Sequence, residues 1–198
     1  MLQYIRRWIL HFLINREAHR NIRVKKHVDF KDVSSIGVLF LLGVEDEFDQ
    51  IDRLVKELIA LGKDVKMIGF FPDKIIPSFY IQKLKSDIIT KKDINLFGFP
   101  KGEVVREFIE NDFDLLIDLT VDDIFPIDYI SGMSRAGLKA GRFRDDMVKV
   151  FDIMISKPQD MGFGAYINSM IGYISILNKT KYEKEISGNG GCTGNTLS

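Results

Sequence analysis

One cysteine, Cys192, stands in this chain of 198 residues, so no disulfide can close within it and a reducing compartment is the expectation. Histidine is almost as scarce. His11, His19 and His27 all fall near the start of the chain, and a spacing of eight turns each about 80° from the last on an ideal helix. No histidine is therefore at hand for a hydrolytic triad in the body of the protein, and the ligands for a nitrogen or sulfur zinc site are missing. The longest apolar run covers residues 8–14 and is broken by His11, well short of the roughly 20 residues a bilayer span needs. The segment after it, NREAHRNIR, offers no small-residue cleavage site, so the expectation is a cytoplasmic protein, with peripheral membrane association as the one extension of that reading. Phosphate-cradling glycines are absent too. The first strand is followed by GVEDEFD, and no G-x-x-x-x-G-K-[ST] sequence occurs. Carboxylates at a helix mouth suit its dipole but repel a phosphate, so NAD or ATP is excluded there and no cofactor is called for.

What is present is an ordinary globular composition with an uneven charge. Hydrophobic residues make up 45% and charged residues 28%, with a formal net charge of zero. Residues 1–31 nevertheless hold Arg6, Arg7, Arg16, Arg20, Arg23, Lys25, Lys26 and Lys31 against Glu17 and Asp29. Such an imbalance points to an arm for an acidic partner. Residues 2–20 have helical spacing, with Leu2, Ile5, Trp8, Ile9, Phe12 and Leu13 as the apolar stripe. Its readings are a helix packed on its own domain, a membrane-surface helix with Trp8 at headgroup level, or a dock for RNA or a ribonucleoprotein. Arg6, Arg7, Trp8, Arg20, Arg23, Lys25 and Lys26 would make the contact. A homodimer through the same helix is a further reading.

Beyond the arm, strands and helices alternate. Residues 35–42 (SIGVLFLL) form a continuous apolar run, as expected for a strand covered on both faces. Residues 45–62 follow as an amphipathic helix, and residues 64–71 as a second strand. Residues 87–90 have the pattern of a short strand, 102–111 of a helix, 115–120 of a buried strand and 126–136 of a helix with proline in its first turn. Two further strands are expected within 138–143 and 148–156, and a last helix over 163–177. The fold class is then α/β: an open, mostly parallel sheet of about five strands in a Rossmann-like three-layer sandwich, with an extra basic N-terminal helix. The domain spans residues 32–180, and the Gly-rich segment 181–198 is expected to be disordered.

Open α/β sheets bind ligands beyond the carboxyl ends of their strands. In the stretch FDLLIDLTVDDIFPIDYISGMSRAGLKAGRFRDD those ends carry Asp118, Asp122, Asp123, Ser134, Lys139, Arg142 and Arg144. A carboxylate inside a buried strand needs a partner, which makes Arg142 or Lys139 the expected neighbour of Asp118. Asp118, Asp122 and Asp123 could hold Mg²⁺ or a substrate hydroxyl, or form an ion-paired strand end with solvated turn acids. Gly132, Gly137 and Gly141 allow close backbone approach, so the basic side chains could clasp a phosphate or carboxylate, or could simply neutralise a helix C-terminus.

Two resemblances follow from these motifs. The succession SIGVLF, NLFGFPKG, FDLLIDLT, YISGMSRAGLKAGRF and FDIMI resembles a family of small Bacteroidetes proteins classed as a domain of unknown function, over nearly the whole chain. That likeness implies a self-contained protein and no assigned activity. FDLLIDLT followed by LKAGRF, residues 113–143, is similar to the N-terminal Rossmann-like half of heptosyltransferases and related glycosyltransferases. It implies a crevice binder or transferase-like enzyme for a phosphorylated sugar or nucleotide, lacking the second domain that carries most of the donor site.

Overall fold

The computed structural model describes residues 2–20, 29–76, 80 and 86–176. Period two along β1 (Ser35–Leu41) divides its side chains between layers: Ile36, Val38 and Phe40 enter one core, Leu39 the other. With β2 (Asp64–Phe71), β3 (Asp87–Thr90), β4 (Leu115–Asp118), β5 (Leu138–Arg142) and β6 (Ile153–Ile155) it forms one open sheet of six strands in the order β3-β2-β1-β4-β5-β6. Every pairing is parallel. The six agree with the expected open parallel sheet of about five, and they include residues 87–90, which pair beside β2. Residues 148–156 yield only a three-residue strand, since Met147, Val150 and Phe151 leave the sheet to form a separate apolar cluster.

The order places a topological switch between β1 and β4, where neighbouring connections run in opposite directions. Helices α2 (Glu45–Ala60) and α5 (Phe163–Ile176) cover one face, burying Phe48, Ile51, Leu54 and Leu58 with Tyr166, Ile167 and Met170. Helices α3 (Glu103–Glu110) and α4 (Phe125–Met133) cover the other with Val105, Phe108, Ile127 and Ile130. Ile59 of α2 and Val104 of α3 lie outside these cores and are exposed. Gly62, at φ +79°, follows α2 in the left-handed conformation that ends helices.

Helix α1 (Leu2–Arg20) lies outside the sandwich, against α4. Its orientation differs from the one its apolar spacing predicts. Leu10 is buried among Met147, Val150 and Phe151, whereas Ile5, Trp8 and Phe12 of the stripe face out together with Tyr4. The sheet faces are already occupied, and what remains for α1 is a small apolar seat edged by carboxylates.

Gly141 on β5 is needed for packing: a Cβ there would lie 2.5 Å from the Phe151 ring. Gly141→Ala should therefore lower the unfolding free energy by about 1–3 kcal/mol, the usual cost of overpacking. Urea titration checks this, and the midpoint should fall while the slope stays that of the wild type.

Candidate functional site

The carboxyl ends of β4 and β5 and the adjoining face of α4 bring the acids and bases of the central stretch together. Asp118, the last residue of β4, is buried. Its Oδ1 accepts from the Thr120 backbone N–H (2.9 Å) and hydroxyl (2.6 Å), and its Oδ2 from the Ser131 hydroxyl (2.9 Å). Burial pushes the Asp118 carboxyl above its ordinary range; the Thr120 and Ser131 hydrogen bonds and the charge of Arg144 oppose the rise without cancelling it. Neither expected neighbour reaches it with a hydrogen bond or ion pair. Lys139 Nζ donates instead to the Ser131 and Gly132 carbonyls, neutralising the C-terminal turn of α4. Arg142 is drawn away to Asp123. Short hydroxyls on the following turn and on α4 outcompete the long cations because they satisfy a buried carboxyl without a second desolvated charge.

Asp123 is the centre of the exposed part of the cluster. Arg142 and Arg144 (2.9 Å) share its Oδ1, and Arg7 of α1 pairs with its Oδ2 (2.8 Å). Partial burial raises the carboxyl, but Arg144 first and then Arg7 and Arg142 outweigh it and hold the group at about 2. Arg144 also bonds buried Asp128 (2.6 Å) and lies 3.6 Å from Asp146. Burial works against the Arg144 charge, and Asp128, Asp123 and Asp146 more than compensate, keeping it firmly protonated. Arg7 closes the ring from outside with its second bond, to Asp146 (2.6 Å).

Among the residues singled out from sequence, Asp118, Asp122, Arg142 and Arg144 line one small crevice with Thr120, Asp128 and Phe151. Its cavity of about 10 Å³ is on the order of what one water requires. Ser134 lies apart, its Oγ accepting from Ala136 N–H in a local turn (3.2 Å). Asp122 faces Glu47 of α2 across the switch point: burial raises the Glu47 carboxyl, and the charge of Asp122 adds to the rise. No group of three or more His, Cys, Asp or Glu among the described residues is placed to hold a metal ion. At this end of the sheet two buried donors are left over. Arg142 Nε and the Tyr166 hydroxyl have no hydrogen-bond partner among the described residues, and Tyr166 is held above its ordinary range by burial and by Asp118.

Of the arm residues, Arg7 is turned into the cluster and Arg6 lies against Gly98, while Trp8 is exposed. Arg20 lies at the end of α1; Arg23, Lys25 and Lys26, the tail 181–198 and Cys192 lie outside the described residues. Sequence reading missed Asp128, Asp146 and Tyr166, and it set Ser131 beside Lys139, Arg142 and Arg144 without pairing it to Asp118. Ser131 lies one turn after Ile127 and so near the buried face of α4, whereas Asp128 lies off that face in the first turn and period alone does not mark it. Asp146 and Tyr166 gave no signal, because only the sheet order brings them to this end. Within residues 113–143, Gly141 serves the packing of Phe151 and Arg142 the ion pair with Asp123.

Compared with known proteins, the chain matches a family of unknown function, DUF6913, over residues 6–177. No curated protein and no solved structure matches it.

Burial first, against the pull of Arg144, lifts the Asp128 carboxyl from 3.8 to about 7. Between those values the native state keeps a proton that the unfolded chain has lost, so stability contributed by this group falls as pH rises from about 4 to 7. Asp128→Asn should flatten that fall by up to one proton, about 1.4 kcal/mol per pH unit. Urea unfolding of both proteins at stepped pH measures it; parallel profiles would show that Asp128 titrates normally.

Proposed function

The chain belongs to DUF6913, and we propose that it is a binding protein that sits on an anionic membrane surface through α1. The observation that carries this reading is the outward face of the helix. Tyr4 is 81% exposed, Trp8 69% and Phe12 54%, with Ile5 beside them, and the Trp8 and Phe12 rings stack at 6.0 Å. A row of large apolar side chains on one helix face is uncommon on a monomer and marks a contact surface. No helix of the described residues is long and apolar enough to cross a membrane, so α1 would lie in the interfacial plane, tryptophan and tyrosine at headgroup depth. Burying each of these side chains is worth on the order of 1–2 kcal/mol. Arg20, Arg23, Lys25 and Lys26 follow in the sequence, and each cation near an anionic surface adds about 1 kcal/mol. RNA is the less favoured acidic partner. Arg7 is committed to Asp123 and Asp146, and the exposed rings stack on each other and precede the basic run.

Trp8 is the only tryptophan, which supplies a direct readout. With vesicles of phosphatidylcholine and phosphatidylglycerol, its emission should shift to the blue and the protein should sediment with the lipid, more weakly as salt rises. Arg20→Gln, Arg23→Gln, Lys25→Gln and Lys26→Gln together should weaken binding at least about tenfold without lowering the melting temperature. An unshifted spectrum with all protein left in the supernatant would reject the membrane; a filter-binding assay with RNA and light scattering for a dimer then decide between the other occupants of this face.

A second reading rests on the two buried donors, Arg142 Nε and Tyr166 Oη. They would suit an oxyanion of a phosphorylated sugar or nucleotide at the strand ends. A screen of such metabolites should then raise the melting temperature of the wild type and leave Arg142→Ala unmoved; no shift with any of them counts against the crevice.

A further inference from the structure

The turn between β3 and α3 carries the most exposed large apolar side chain among the described residues, Leu96, with a second exposed one beside it. Leu96 is 95% exposed and Phe97 67%. These two residues are held at the tip of a tightly bonded hairpin. Asn95 N–H donates to the Phe99 carbonyl (2.9 Å), Gly98 N–H to the Asn95 carbonyl (2.9 Å), and the Asn95 side-chain oxygen accepts from the N–H groups of Phe97 (2.9 Å) and Phe99 (3.0 Å). An antiparallel bridge joins Ile94 to Pro100 at its base, where Lys101 N–H donates to the Asp93 carbonyl (2.8 Å). Phe99 turns inward and packs edge-on against Phe125 and Tyr129 of α4. The turn is therefore anchored by one aromatic ring and shows two other apolar side chains to solvent.

Two further features bear on the occupant. Gly98 has φ +93°, and a Cβ on it would lie 2.9 Å from Arg6 Nε. The hairpin thus abuts α1, and the positive φ is what favours glycine there. Exposed Lys91 and Lys92 precede the tip and exposed Lys101 follows it. A protein interface would gain little from lysines, which interface cores disfavour. An anionic bilayer rewards both parts of the pattern: the tip enters the headgroup region and the lysines meet the phosphates.

We propose that the Leu96–Phe97 tip is a second membrane-inserting element, a preformed wedge flanked by Lys91, Lys92 and Lys101 that works beside α1 on an anionic bilayer. The inference rests on the membrane reading of α1 and adds to it. A rigid tip loses little conformational freedom on insertion, so its side chains contribute nearly their full transfer energy. Two anchoring points on adjacent elements also fix the orientation of the sheet relative to the bilayer, which one helix does not.

The test uses the full chain and vesicles of phosphatidylcholine and phosphatidylglycerol in equal parts. Leu96→Ser with Phe97→Ser should leave the melting temperature unchanged, as both side chains are in solvent, and weaken co-sedimentation at least about tenfold. In a Trp8→Phe background, Phe97→Trp should report the tip directly by a blue shift and by quenching with brominated lipid. If the double serine variant binds as the wild type does and tryptophan at position 97 stays unshifted, while Trp8 of the wild type still shifts, the tip inference is overturned and the α1 reading stands. If neither tryptophan shifts and nothing sediments, both are overturned.

Discussion

A sheet of six parallel strands must be covered on both faces, because its strands are apolar on both. That constraint sets the form of everything else in this chain. α2 and α5 close one face, α3 and α4 the other, and α1 is left with no sheet to cover. It therefore finds a seat on the outside of α4, where Leu10 enters a small cluster with Met147, Val150 and Phe151. A helix with more apolar side chains than its seat can accept keeps the remainder in solvent, and here that remainder is Tyr4, Ile5, Trp8 and Phe12.

Charge decides how the helix is seated. The carboxyl ends of β4 and β5 gather Asp118, Asp122, Asp123, Asp128 and Asp146 within one neighbourhood. Arg142 and Arg144 from within the domain and Arg7 from α1 meet Asp123, and Arg7 and Arg144 meet Asp146. Turning Arg7 inward rotates the aromatic residues outward, since residues 4, 8 and 12 lie on the side of the helix away from Leu10. The exposed face and the filled crevice are thus two results of one arrangement. Exposed pairs such as Arg7–Asp123 contribute little stability individually, so their part is orientation more than adhesion.

The crevice shows why position in the fold does not by itself make a binding site. The switch point is where open α/β sheets bind ligands, yet here Asp118, Asp123 and Asp128 have their partners and the cavity is about 10 Å³, roughly one water. Acids at the mouth of α2 and the nearby Asp122 and Glu47 make it inhospitable to phosphate unless the Arg142 and Tyr166 donors prevail. The apolar surfaces lie elsewhere, on α1 and on the Leu96–Phe97 tip.

Residues in local register were legible from sequence because their burial follows from period alone. SIGVLFLL had to be a two-faced strand, the spacing Phe48, Ile51, Leu54, Val55 and Leu58 had to be a helix packed on it, and the alternation of such units had to be an open α/β sheet. The meeting of Asp118 with Ser131 was not legible: the serine is 13 residues away, and its place depends on the angle at which α4 crosses the sheet. Nor was the pairing of Arg7 with Asp123, which are 116 residues apart. Periodicity shows that α1 has an apolar stripe, but which side of a helix turns inward is settled by competition between that stripe and long-range charge, and only the assembled sheet brings the charges together.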